Sequence, residues 1–132
     1  ARRVDKTVSG GAITLDRPGT VVEVGLPFEA KAETMPPAFP TKTGTTMGDF
    51  KRIVKVQVQS SDTAGISING AKQSLRELNV DNLDTVPTGK TGFYNYEPGD
   101  SEWLQSPTVT ILHNEPEPMT ILGIIIEHEI GG

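Results

Sequence analysis

Along much of this chain apolar and polar residues alternate, the period of a β-strand with one face in a core. The longest apolar run covers residues 121–126 and is broken only by Gly123. Branching at Cβ favours extended backbone there. From Ile126 onward the pattern alternates, with Ile126, His128 and Ile130 on one side and Glu127 and Glu129 on the other. This reads as the central strand of a β-sandwich, entering a core and leaving it at a sheet surface. Residues 50–60 alternate most clearly, with Val54, Val56 and Val58 set against Lys55, Gln57 and Gln59, and Ile53 falling on the polar side. Phe28, Ala30, Ala32 and Thr34 face one way while Glu29, Lys31 and Glu33 face the other. The small alanines predict another layer packed closely over that face.

The remaining pattern fills in a meander. Residues 2–9 alternate loosely as a short edge strand, and Ser9, Gly10 and Gly11 signal a turn. Residues 12–15 and 20–24 read as two further strands joined by a turn at Asp16, Arg17, Pro18 and Gly19. Residues 61–65 read as a turn, and Ile66, Ser67 and Ile68 as a strand ending at Asn69 and Gly70, a strong hairpin dipeptide. Residues 71–91 read as mostly loop, with helix formers from Ala71 to Leu78 in a run too short to be stable alone. Residues 92–96 alternate, Phe93 and Asn95 against Tyr94 and Tyr96. Trp103 and Leu104 form a short aromatic anchor, residues 108–112 a strand, and Glu115, Pro116, Glu117 and Pro118 a stiff connection. The expected fold is an all-β, antiparallel, sandwich-like domain of about eight strands with long loops. Residues 35–49 break every period, with Pro36, Pro37 and Pro40 ahead of Gly44 and Gly48. Loops of that length in compact domains usually serve a function. Met35, Pro36, Pro37, Phe39 and Met47 are the expected contacts with another chain.

Composition narrows this picture. With 132 residues a single domain is the default. Hydrophobic residues make up 35% and aromatics 5%, which suits a thin sandwich or a piece that borrows core from neighbours. There is no cysteine, so disulfides and thiolate chemistry are excluded. The apolar run is too short for a spanning helix, which needs ~20 residues. The net charge of −5 is unevenly spread: all 12 Lys and Arg lie in residues 1–90, and residues 91–132 hold seven acids and no base. That sign repels phosphate and makes the last third a poor grip for nucleic acid.

Several motifs invite chemistry, and each has a plainer structural reading. Thr88, Gly89, Lys90 and Thr91 resemble the end of a phosphate-binding loop. That motif also needs a glycine five positions earlier, where Asp84 stands, and a following helix. His113 and His128 could form a two-histidine metal site across a hairpin, or be structural; Glu127 and Glu129 point away from His128 and cannot share an ion with it. Glu115 and Glu117 could pair as in glycoside hydrolysis, although their prolines suit a rigid acidic loop. Lys51, Arg52 and Lys55 could meet phosphate or pair with the acidic third. Trp103, Tyr94 and Tyr96 could stack on sugar or anchor a core. No cofactor or metal is expected.

Taken together, several stretches resemble the C-terminal part of the tail tubular, or nozzle, proteins of short-tailed bacteriophages. They are Thr7 through Leu15 (TVSGGAITL), Val21 through Phe28 (VVEVGLPF) leading to Glu33, Thr34, Met35, Pro36 and Pro37, then Gly48 with Lys51, Arg52 and Ile53, and finally Val109, Thr110 and Ile111 with Glu115 through Ile124 (EPEPMTILGI). Residues 71–91 match nothing in that pattern. The resemblance implies a C-terminal fragment of a longer protein, with Ala1 in mid-chain. It implies a virion structural role after assembly in the bacterial cytoplasm, with no enzyme activity and no membrane. It further implies a hexameric ring in the parent protein that meets adaptor and fibre proteins and conducts DNA during ejection without sequence-specific binding. Glu115, Glu117, Glu127 and Glu129 would then form an acidic conduit surface that keeps DNA from sticking. The alternatives are a non-catalytic carbohydrate- or receptor-binding β-sandwich module and a cell-wall hydrolase.

Overall fold

A computed structural model describes residues 4–22, 24–26, 28–74, 89–115 and 117–131. The fold is all-β and sandwich-like. Its strands are β1 (Ala30–Glu33), β2 (Pro40–Thr41), β3 (Gly44–Thr45), β4 (Phe50–Thr63), β5 (Gly65–Ile68), β6 (Ala71–Ser74), β7 (Lys90–Tyr96), β8 (Thr110–His113) and β9 (Thr120–Gly131). They form a four-stranded sheet in the order β1-β8-β5-β6, a three-stranded sheet in the order β7-β4-β9 and the small β2-β3 ribbon. Every pairing is antiparallel. Ile53, Val56, Val58 and Tyr94 from the three-stranded sheet pack with Ile66, Ile68 and Ile111 from the four-stranded one, together with Val109, in one core. A core fed by both sheets is what makes the arrangement a sandwich.

Strand β4 organises the domain: it is 14 residues long and lies between β7 and β9 in its sheet. Its inward face changes parity along its length. Lys51 and Ile53 are buried, then Val56, Val58 and Ser60, then Thr63. The first change is a bulge: Ile53 pairs with His128 and Lys55 with Glu127, so Val54 is an extra residue. One inserted residue shifts the side-chain alternation by one. Ile53 therefore joins the core instead of the polar face that simple alternation assigns it, and Val54 is only half-buried. Buried Lys51 is held at both ends. Its ammonium donates to the Asp49 carbonyl at 3.1 Å, and its backbone forms a two-way bridge with Leu104 at 2.8 Å each way.

Residues 61–65, expected as a turn, instead continue β4 to Thr63, with Ala64 the only break before β5. The chain crosses here from one sheet to the other, and Asp62 takes the positive φ (44°) that the corner demands. The buried Thr63 hydroxyl secures it, donating toward the Ser61 and Thr120 carbonyls and accepting from the Thr120 N–H at 3.1 Å. The Asn69–Gly70 turn forms as expected. Both residues have positive φ (48° and 81°), as a two-residue hairpin requires. Residues 71–74, expected as loop, form β6 on that hairpin; residues 75–88 of the same stretch lie outside the described residues.

Three expectations fail at the margins of the sandwich. The terminal strand β9 is not central, since among the described residues only β4 pairs with it. Its apolar run is consequently split, with Ile121, Ile124 and Ile126 half-buried and Leu122, Ile125 and Ile130 exposed. The strands expected at 12–15 and 20–24 are not formed by the described residues there, nor is an edge strand by residues 4–9. Residues 4–22, 24–26, 28 and 29 make a long arm whose one regular feature is the tight Ser9–Ala12 turn over Gly10 and Gly11. Strand-like composition becomes strand only where a neighbouring backbone is in reach. Likewise the described residues leave Ala32 exposed in β1, at an open groove it shares with Met119, Ile121 and Ile124.

Candidate interaction surfaces

The loop between β1 and β4 is ordered from within. The Phe39 N–H donates to the Thr46 hydroxyl at 3.0 Å, and the Thr46 N–H donates back to the Phe39 carbonyl at 3.1 Å. Thr46 is buried, and β2 and β3 pair inside this clasp. Phe39 also stacks on His128 of β9, with ring centroids 5.3 Å apart and planes 4° from parallel. The loop is thus clipped to the sandwich at its middle. Met35 and Met47 are 85% and 67% exposed, whereas Pro36 and Pro37 are half-buried. Of the five residues expected to meet another chain, the two methionines are therefore the most available, and Phe39 is partly engaged at home.

The four glutamates expected to form an acidic surface fall into two groups. Glu115 and Glu117 lie before β9 begins, while Glu127 and Glu129 lie in its later half. About seven residues of strand, roughly 23 Å, separate them. Glu115 is ion-paired with Lys72. Glu129 receives two contacts from Arg52, 2.7 Å from Nε and 2.6 Å from Nη2. Lys55 approaches Glu97 at 4.0 Å. The basic group at 51–55 therefore splits between pairing with the acidic third, through Arg52 and Lys55, and burial, at Lys51. Exposed pairs of this kind each contribute about 0–1 kcal/mol, so they position side chains more than they hold the fold.

The aromatic residues do not converge. The Arg52 guanidinium lies 5.1 Å from the Trp103 ring centroid, and a Cβ on Gly131 would stand 2.7 Å from that ring. Gly131 is required there by close approach. Tyr94 is buried and pairs with Val58, and Tyr96 packs against the core. Trp103 neighbours the Lys51 end of β4, about 20 Å along the strand from Val58. A three-ring sugar platform is not assembled. Burial pushes the Tyr94 phenol above the usual tyrosine value, partly countered by a hydrogen bond with Ser60.

The histidines are separate too. His113 is buried in β8, its Nδ1 2.9 Å from the Gly65 carbonyl and its Nε2 2.8 Å from that of Glu117. Both nitrogens are occupied, so His113 is structural. Among the described residues no three His, Asp or Glu side chains come together as a metal site. Gly89 is followed by strand β7 rather than a helix, and a Cβ there would stand 2.3 Å from the Asp62 carboxylate; Thr88 lies outside the described residues. No helix among the described residues is long and apolar enough to cross a membrane.

Sequence pattern missed three features of these surfaces. The parity change at Val54, the Phe39–Thr46 clasp and the openness of the arm all depend on which backbones meet, and no local signal carries that. Compared with protein-family models the chain matches none, and curated proteins give no significant match.

Proposed function

We propose that this chain is a structural, non-enzymatic subunit of a short-tailed phage tail nozzle, and that it helps form the conduit for DNA ejection. Two things support the reading: the nozzle-like motifs in the sequence, and a surface suited to assembly. The observation that carries it is the amount of large apolar side chain left open on loop and arm, from Met35 and Met47 to Leu26, which is 87% exposed. Exposed apolar surface of this kind marks contact with other proteins. In this reading neighbouring copies and adaptor or fibre proteins cover it, and DNA passes without being bound. Glu127 and Glu117 have no ion pair with a described residue and supply the repulsive charge toward DNA, one in each acidic group.

Reversing Glu115, Glu117, Glu127 and Glu129 to lysine in the assembled particle tests the conduit. Slower DNA release with normal particle assembly is the expected result. Unchanged release overturns the conduit assignment. A glycan-array signal that Trp103→Ala abolishes would replace the nozzle reading with a carbohydrate-binding one.

A further inference from the structure

His113 is buried, yet each of its ring nitrogens faces an acceptor. Nδ1 lies 2.9 Å from the Gly65 carbonyl and Nε2 lies 2.8 Å from the Glu117 carbonyl. A carbonyl oxygen only accepts, so each contact asks the ring for an N–H. Neutral imidazole carries one N–H and serves one of them; the imidazolium carries two. A neutral ring would set a lone pair against one carbonyl, and a buried bond left unmade is costly. Burial works against a charge on the ring. Two bonds from a charged donor, each roughly twice as strong as a neutral one, work for it. The two carbonyls belong to different parts of the fold. Gly65 opens β5, where its backbone is in register with Ser74 of β6. Glu117 lies in the connection from β8 to β9. Three residues further on, Thr120 is fastened to the Thr63 hydroxyl at the same corner between the sheets.

We propose that His113 is a proton-operated latch on the β8–β9 connection. With both nitrogens protonated, the ring donates to both carbonyls and ties the connection to the corner. When Nε2 gives its proton to solvent, the bond to Glu117 is lost. That bond goes first because Gly65 is held in a strand ladder, whereas the described residues of the connection belong to no strand. The connection, which carries Glu115 and Glu117, then loosens ahead of β9. Such a latch makes the native chain hold the ring proton more firmly than the unfolded chain does. Its contribution is complete below the ordinary histidine value, ~6.5, and is lost as the pH rises above it. Charged groups stand on the elements around the ring. Lys31 and Glu33 pair on β1, with Glu29 just before that strand, and β1 pairs with β8 at Ala30 and His113. Asp62 stands at the corner, β5 carries no titratable side chain, and Lys72 of β6 pairs with Glu115. Unperturbed carboxylates and lysines change charge outside the histidine range. His128, the second of the two histidines, lies in the other sheet against Phe39. The latch stands independently of the conduit reading, since it is tested on pure chain without DNA or phage.

The test is nuclear magnetic resonance of the full wild-type chain with labelled ring nitrogens, from about pH 5 to about pH 9, across histidine's charge change. Amide exchange is measured on the same samples and divided by the intrinsic rate at each pH. At the acid end both nitrogens of His113 should carry a proton. As the pH rises, Nε2 should lose its proton while Nδ1 keeps its own. Exchange at Met119 and Thr120 should then rise at least tenfold relative to Ile126. His113→Asn, whose amide can donate to Gly65 without a charge, should show the loosened connection at every pH. Near-ultraviolet circular dichroism checks the fold of that variant, and the wild-type titration decides the matter by itself if the variant does not fold. A ring with one bare nitrogen over the whole range would overturn the proposal. So would a ring that keeps both protons to the top of it, or a proton loss that leaves Met119 and Thr120 unchanged.

Discussion

The β4-centred sandwich and the arm before β1 have similar sequences and opposite fates. Both are rich in branched apolar residues at alternate positions. In the sandwich Val56 and Val58 are fully buried between two sheets. In the arm Val22 and Val24 stand in solvent. Propensity and pattern do not separate them; the supply of neighbouring backbone does. Strand β4 finds β7 on one side and β9 on the other, so its N–H and C=O groups are satisfied and its apolar face is covered in one step. Among the described residues the arm pairs with neither sheet, and its apolar positions stay in solvent.

The sharpest way to break this contrast is to truncate one apolar residue in each region. Ile68→Ala, in the core, should cost about 2–5 kcal/mol by the combined transfer and cavity terms, read by urea denaturation. Leu26→Ala in dilute monomer should cost close to nothing, since exposed truncations usually fall within about 0.5 kcal/mol. Equal losses at the two sites would mean that the arm packs on the sandwich in solution.

A smaller effect is expected at the corner between the sheets. Thr63→Val keeps the shape and removes the hydroxyl that serves Ser61 and Thr120. Leaving the Thr120 N–H without its partner should cost about 1–3 kcal/mol. It should also speed amide exchange at Thr120 more than at Ile126 further along β9. Uniform exchange changes would mean that the corner is not a local fastening.

The smallest effect is in alkali. The Tyr94 phenol is raised by burial, so as pH climbs past the ordinary tyrosine value the unfolded chain loses its proton first. The unfolded state then binds fewer protons than the native one, and stability falls with rising pH. Below that value both states hold the proton and Tyr94 contributes no slope. Absorbance at alkaline pH should show one of the two tyrosines ionising late, and Tyr94→Phe should remove that late step and its share of the alkaline instability. A Tyr94→Phe protein that keeps the late step would contradict the burial assignment.

Alternation of residues was enough to assign the all-β class, β7 and β8 to within a few residues, and the Asn69–Gly70 turn, because these follow from local sterics and from side chains falling on opposite faces. The inward position of Val56 and Val58 follows in the same way. The exposure of Met35 and Met47 was legible in the proline- and glycine-rich break at 35–49. Tertiary structure alone decided the rest. It placed one extra residue at Val54 and so turned Ile53 and Lys51 inward. It put β9 at an edge although its composition suits a centre. It divided the acidic residues between two ends of a strand, with some neutralised by Arg52 and Lys72. It left the described residues of the arm outside both sheets. Each of these depends on which distant backbone comes alongside, and a strand's hydrogen bonds, unlike a helix's, are made with residues that its own sequence does not contain.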